Sequence, residues 1–96
     1  MIIRVFRATA RPERRAEYDR LIREDSVDLL RAQPGMVSLE VGLPMPHSPD
    51  DFVMISVWKD MESLLAFTGP DWQTPVAFPG ESDLVVRTSV DHYERF

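Results

Sequence analysis

Apolar and polar positions along the chain fall into six successive patterns. Residues 2–9 carry Ile2, Ile3, Val5 and Phe6 ahead of an Arg11-Pro12 break, a β-branched and aromatic run that predicts a first strand. From Pro12, which suits a first helical turn, good helix formers continue to Gln33 and stop at Pro34-Gly35. Tyr18, Leu21, Ile22 and Leu29 recur there at helical spacing, so the helix is amphipathic. Residues 36–43 alternate strictly, with Val37, Leu39, Val41 and Leu43 on one side and Ser38, Glu40 and Gly42 on the other, a second strand. The proline-rich stretch 44–51 reads as an irregular exposed hairpin loop. Residues 52–58 predict a third strand apolar on both sides, Val53, Ile55 and Val57 opposing Phe52, Met54 and Trp58. Asp60 then caps a short helix bearing Leu64, Leu65 and Phe67, ended by Gly69-Pro70. Residues 71–83 look irregular, with Trp72, Val76 and Phe78 as plugs, before a fourth strand over 84–93.

The order β-α-β-β-α-β with right-handed crossovers places both helices on one face of a four-stranded antiparallel sheet, the ferredoxin-like α+β arrangement, in a single domain spanning residues 1–96. Its second face then has no cover. Phe52, Met54 and Trp58, or their opposite-face partners, form an apolar patch too large for a quiet monomer surface, and a twofold homodimer packed sheet against sheet removes it. The third strand is accordingly expected to be buried on both sides, with Val90 to Tyr93 close to the twofold contact.

Composition narrows the function classes. A net charge of −5 repels polyphosphate, and the one dense basic run, Arg11 to Arg23, is interleaved with carboxylates, so nucleic acid is not an expected partner. With no cysteine, thiolate chemistry and Cys-ligated metals are excluded. No stretch reaches membrane-spanning length and the start lacks the pattern of a signal peptide, so the expectation is a cytoplasmic protein without a membrane partner. Gly-rich phosphate loops, nucleophile elbows and HExxH helices are missing, and no cofactor is expected.

Several stretches together resemble the antibiotic biosynthesis monooxygenase (ABM) domains of the dimeric α+β barrel superfamily. They are Tyr18-Asp19-Arg20-Leu21-Ile22, Gln33-Pro34-Gly35-Met36, Trp58-Lys59-Asp60-Met61-Glu62-Ser63-Leu64, Phe67-Thr68-Gly69 and Val90-Asp91-His92-Tyr93-Glu94. The resemblance runs nearly end to end and rests on their order and spacing. It implies a homodimer, and a family that includes cofactor-independent oxygenases of aromatic polyketide intermediates, haem-degrading enzymes and isomerase-like relatives. The haem-degrading branch uses an asparagine in the first strand with a tryptophan and a histidine in the second helical region. This chain has no asparagine, Arg7 stands at the corresponding place, and no histidine lies between Trp58 and Asp83, so haem handling is disfavoured.

Two groups are candidate bases. A neutral imidazole at His92 could deprotonate a phenolic substrate near neutral pH, against the plainer reading of a hydrogen-bonded strand-end histidine. Asp25 falls between Ile22 and Leu29 on the apolar stripe of the first helix, where a carboxylate would be partly desolvated, as a base or as an ion-pair partner of Arg7 or Arg87. Trp58 matches a tryptophan that recurs in the family and would wall a pocket for a flat ligand, or pin the third strand to the second helix. Trp72 would form a lid or pack under its loop, Tyr18 would line the pocket, and Tyr93 would donate to a substrate oxygen or anchor a dimer edge. Arg4 and Arg7 point to opposite faces of the first strand, so one of them must approach either the helix layer or the dimer layer, and either could bind an anionic substrate group or snorkel at the sheet rim; Arg7 or Arg87 would steady an oxyanion. His47 with Asp50 and Asp51 has no regular ligand spacing and reads as an ordinary turn, not a metal site. These residues lead to a dimer binding a small apolar or aromatic molecule, either as a cofactor-independent monooxygenase or as a non-catalytic binding module.

Overall fold

The computed structural model describes residues 1–96. Strands β1 (Ile2–Ala10), β2 (Met36–Gly42), β3 (Asp51–Trp58) and β4 (Val85–Glu94) form one antiparallel sheet in the order β2-β3-β1-β4. Helix α1 (Arg15–Arg31) follows β1 through a 3-10 turn at Pro12–Arg14, and α2 (Met61–Thr68) follows β3. This is the ferredoxin-like arrangement expected from the pattern, with the two short middle strands joined by the proline-rich loop.

Period-two alternation sorts the sheet into two faces. Phe6, Ala8 and Ala10 of β1 and Phe52, Met54 and Trp58 of β3 pack beneath the helices with Tyr18, Ile22, Leu30 and Leu64. The core is therefore one-sided. On the other face Ile3, Val53 and Val57 are half-buried and Ile55 is 36% exposed, so within one chain β3 is not buried on both sides as its composition suggested. Only a second layer would complete that burial. A register shift between Met36 and Ser38 also turns Val37 out of the alternation, leaving it exposed.

Helix α1 departs from its predicted face in an informative way. It is α-helical over Arg15–Leu21, π-helical over Ile22–Ser26 and α-helical again over Val27–Arg31, with the Val27 N–H bonded to the Ile22 carbonyl. The wider turn inserts one extra residue, so the buried positions run Tyr18, Ile22, Ser26, Leu30, each four apart. Asp25 and Leu29, which regular α-helical spacing puts on the stripe, are rotated out and exposed.

The turn from α1 into β2 depends on Gly35 at φ 85°, where an added Cβ would lie 2.1 Å from Ser63 Oγ. Lys59 N–H donates to the Gly35 carbonyl at 2.8 Å. Asp60 caps α2 by accepting from the Ser63 N–H at 2.8 Å and its hydroxyl at 2.7 Å, as its position predicted. Those bonds to the ionised form hold the Asp60 carboxyl below its ordinary pKa.

Candidate functional site

Beneath the helices, register sets one row of polar side chains across the sheet. Arg4 pairs with Ser56 of β3 on one side and His92 of β4 on the other. Arg4 is only 4% exposed, and its Nη1 donates to the Trp72 carbonyl oxygen at 2.7 Å and meets His92 Nε2 at 2.9 Å. A guanidinium has no acceptor, so His92 must accept through Nε2 and carry its own proton on Nδ1. The half-buried imidazole has its pKa lowered, first by burial and then by the Arg4 charge, with Asp91 opposing. Burial likewise lowers the Arg4 pKa to about 10, which still leaves it cationic at neutral pH. The Trp72 ring stands edge-on to His92 with centroids 4.7 Å apart.

Arg4 also borders a small cavity of about 30 Å³ in the seam between sheet and helices. Phe6 and Met54 floor it, Leu30 and Phe67 come from the two helices, and Val76 and Phe78 roof it. The roof belongs to the segment from Gly69 to Leu84, a strap rich in proline and positive-φ glycine that has only a 3-10 turn at Glu81–Asp83. One end of the strap is held by the Arg4 bond to Trp72. At the other, the buried Glu81 carboxylate accepts from the Tyr18 hydroxyl and from the Phe78 N–H, each at 2.9 Å.

The residues singled out from the sequence separate into different places. His92 and Trp72 come together beside Arg4, and with Tyr93 they line an open depression of about 420 Å³ that also includes Lys59. Trp58 is fully buried, stacked on Phe67 at 5.3 Å and donating from Nε1 to Ser56 Oγ at 2.9 Å, so it backs the seam wall. Tyr18 is also fully buried, edge-on to Phe52, and its hydroxyl serves Glu81; burial and that carboxylate raise its pKa. Arg7 and Arg87 lie on the open sheet face, lining a concavity of about 400 Å³, with Arg7 ion-paired to Asp91 at 3.1 Å. Asp25 is exposed on α1, outside the seam, because the π turn carries it past the buried stripe.

Three polar groups of the interior were not distinguished in the sequence. Arg4 could bind an anion as Arg7 could, but the oxyanion was expected to fall to Arg7 or Arg87; placing β1 under the helices makes Arg4 the buried one. Glu81 sits in a Gly-Glu-Ser-Asp run that reads as a polar turn, with no signal of burial. Ser26 is fully buried with no hydrogen-bond partner for its hydroxyl, and only the π turn brings it inward. Asp50 of the proline-rich loop pairs with Arg15 at 3.2 Å, and Asp51 at the start of β3 accepts from Thr9 at 2.9 Å.

A four-stranded ferredoxin-like sheet with a polar cluster at one end of an apolar seam defines the class of protein. The family model for antibiotic biosynthesis monooxygenase matches residues 1–73, and the chain belongs to that family. Similar solved structures include an antibiotic biosynthesis monooxygenase at 20% identity and a TM-score of 0.80, covering 100% of this chain and 99% of that one. PA3566 from Pseudomonas aeruginosa shares 21% identity with a TM-score of 0.79, over 99% of this chain and 93% of its own. A putative antibiotic biosynthesis monooxygenase from Deinococcus radiodurans shares 17% identity with a TM-score of 0.76, over 100% and 93%. At these identities the likeness is one of fold. Among curated proteins none matches the sequence. No helix is long and apolar enough to cross a membrane.

Proposed function

We propose that the chain works as a homodimer that binds a small apolar or aromatic molecule in the seam between helix layer and sheet and oxygenates it without a cofactor. The observation that carries this reading is the seam itself: an apolar cavity roofed by an irregular strap and bordered by Arg4, which is bonded in turn to His92 and the Trp72 carbonyl. Lifting the strap would enlarge the cavity without disturbing a strand or a helix. In the chemistry proposed, an anthrone-type carbon acid loses a proton and the carbanion combines with dioxygen. One oxygen atom becomes the product carbonyl and the other leaves as water. The protein supplies a base, a dry site and orientation.

Of the two candidate bases only His92 approaches the seam, through its contact with Arg4, while its ring lines the open depression outside. Trp58 supports the seam wall from behind Phe67, Tyr18 steadies the roof through Glu81 and Phe78, and Tyr93 lines the outer depression beside His92. Dimer formation is supported by the open face, where Ile3, Val53 and Val57 are half-buried and Ile55 is exposed around the buried Val5. Covering each such side chain stabilises the pair by roughly 1–2 kcal/mol before association costs.

One observation favours a second reading, a binding module without turnover. The His92 Nε2 lone pair is already engaged by Arg4, so it can take a substrate proton only when that bond opens. Oxygen consumption with an anthrone separates the two. Uptake that falls at least tenfold in His92→Ala supports the oxygenase, whereas a ligand-induced rise in melting temperature with no uptake supports the binding module.

A further inference from the structure

The seam contains a charge that the chain itself does not balance. The four ion pairs of the protein engage Arg7, Arg14, Arg15 and Arg23, all of them on the surface. Arg4, far more buried than any of these, contacts only neutral acceptors, the Trp72 carbonyl and the His92 imidazole. Both bonds leave from Nη1. Nε and Nη2 make no hydrogen bond within the chain, so the side-on edge that matches a carboxylate has no partner. Holding a desolvated cation against dipoles alone is unfavourable, and an oxyanion brought beside it relieves that cost. The surrounding groups do not compete for that place. Asp91 lies with its ion-pair partner Arg7 on the sheet face opposite Arg4, and Glu81 is occupied by Tyr18 and Phe78 at the far end of the strap.

We infer that Arg4 is the anion-binding residue of the seam, and that its ligand is a hydrophobic monoanion: a ring system carrying one carboxylate or one acidic enol or phenol oxygen. This rests on the seam being the ligand site. The closed cavity of about 30 Å³ holds no ring; with the strap lifted, the ring lies among Phe6, Met54, Phe67 and Phe78, and its oxygen meets the Nε–Nη2 edge. One guanidinium balances one negative charge, so dianions are disfavoured. Arg7 and Arg87, expected from the sequence to steady an oxyanion, stand on the open face, where water and salt weaken such an interaction in a single chain.

The test compares 2-naphthoate with 2-naphthamide, which has nearly the same shape and no charge, on the full-length protein. Calorimetry gives the affinities, and the Arg4 Nε–H resonance, assigned by its loss in Arg4→Lys, reports contact. The naphthoate is expected to bind about tenfold or more tightly than the amide, in line with a hydrogen bond to a charged group. That preference should disappear in Arg4→Met and survive in part in Arg4→Lys, which keeps the charge without the planar fork. Equal binding of acid and amide, or a preference that persists in Arg4→Met, overturns the assignment. Should Arg4→Met not fold, the Arg4→Lys comparison and the resonance shift decide. Acetate serves as a second probe without a ring. A shift of the Arg4 resonance with acetate but no binding of either naphthyl compound keeps the anion site and overturns the apolar seam, whereas no shift with acetate or naphthoate overturns the anion site.

Discussion

Tyr18→Phe removes one oxygen atom from the interior and leaves the ring against Phe52. The change is costly because of what the hydroxyl serves. Tyr18 is fully buried and Glu81 is 3% exposed, and the bond between them is one of two that the Glu81 carboxylate accepts. Without it a buried carboxylate keeps only the Phe78 N–H. A hydrogen bond to a charged group contributes about 1.5–3 kcal/mol, so Tyr18→Phe should destabilise the fold by about 2 kcal/mol. For a domain of this size that corresponds to a fall of about 8–16 °C in melting temperature. Glu81→Gln should cost less, since its amide nitrogen can donate to the Tyr18 oxygen while its carbonyl still accepts from Phe78. Urea unfolding at fixed protomer concentration measures both changes, the fixed concentration removing any shift due to self-association. A Tyr18→Phe protein within about 0.5 kcal/mol of the parent would refute the claim that this bond sustains the buried carboxylate. A double-mutant cycle with no coupling between the two positions would do the same.

Other consequences follow from the same geometry. The His92 pKa is lowered from 6.5 in the folded chain, so the unfolded chain takes up the proton first; the stability this residue contributes is present above 6.5 and is lost as pH falls toward the folded value. His92→Gln should therefore lose less stability than the parent in urea unfolding between neutral pH and about pH 5, and parallel curves would contradict the direction of the shift. Ser26→Ala removes a buried hydroxyl that has no partner and should be neutral or stabilising by up to about 1 kcal/mol; a loss of more than about 1 kcal/mol would mean the hydroxyl is satisfied after all. Ile55→Asp places a charge in the middle of the open face and should shift the molar mass measured by light scattering from dimer to monomer. A parent that is already monomeric at micromolar concentration would remove the dimer from the proposal.

The amphipathic patterns, the Pro34-Gly35 stop and the Asp60 cap were enough to order the elements, because helix and strand periodicity, turn chemistry and capping are local. Together with the right-handed crossover they also determined the ferredoxin-like sheet and the fact that one of its faces lacks cover. What lay beyond the sequence depended on contacts distant along the chain. Arg4 and Arg7 are equivalent on an isolated strand, and only the packing of the helices makes Arg4 the buried one. Glu81 in a polar turn gives no hint that Tyr18, 63 residues earlier, will bond it in the interior. Asp25 was misplaced for a related reason: regular α-helical spacing puts it on the buried stripe, but the π turn at Ile22–Ser26 shifts the stripe by one residue and substitutes Ser26. Local rules decide which elements form; which side chain in each becomes interior is decided by the elements packed against it.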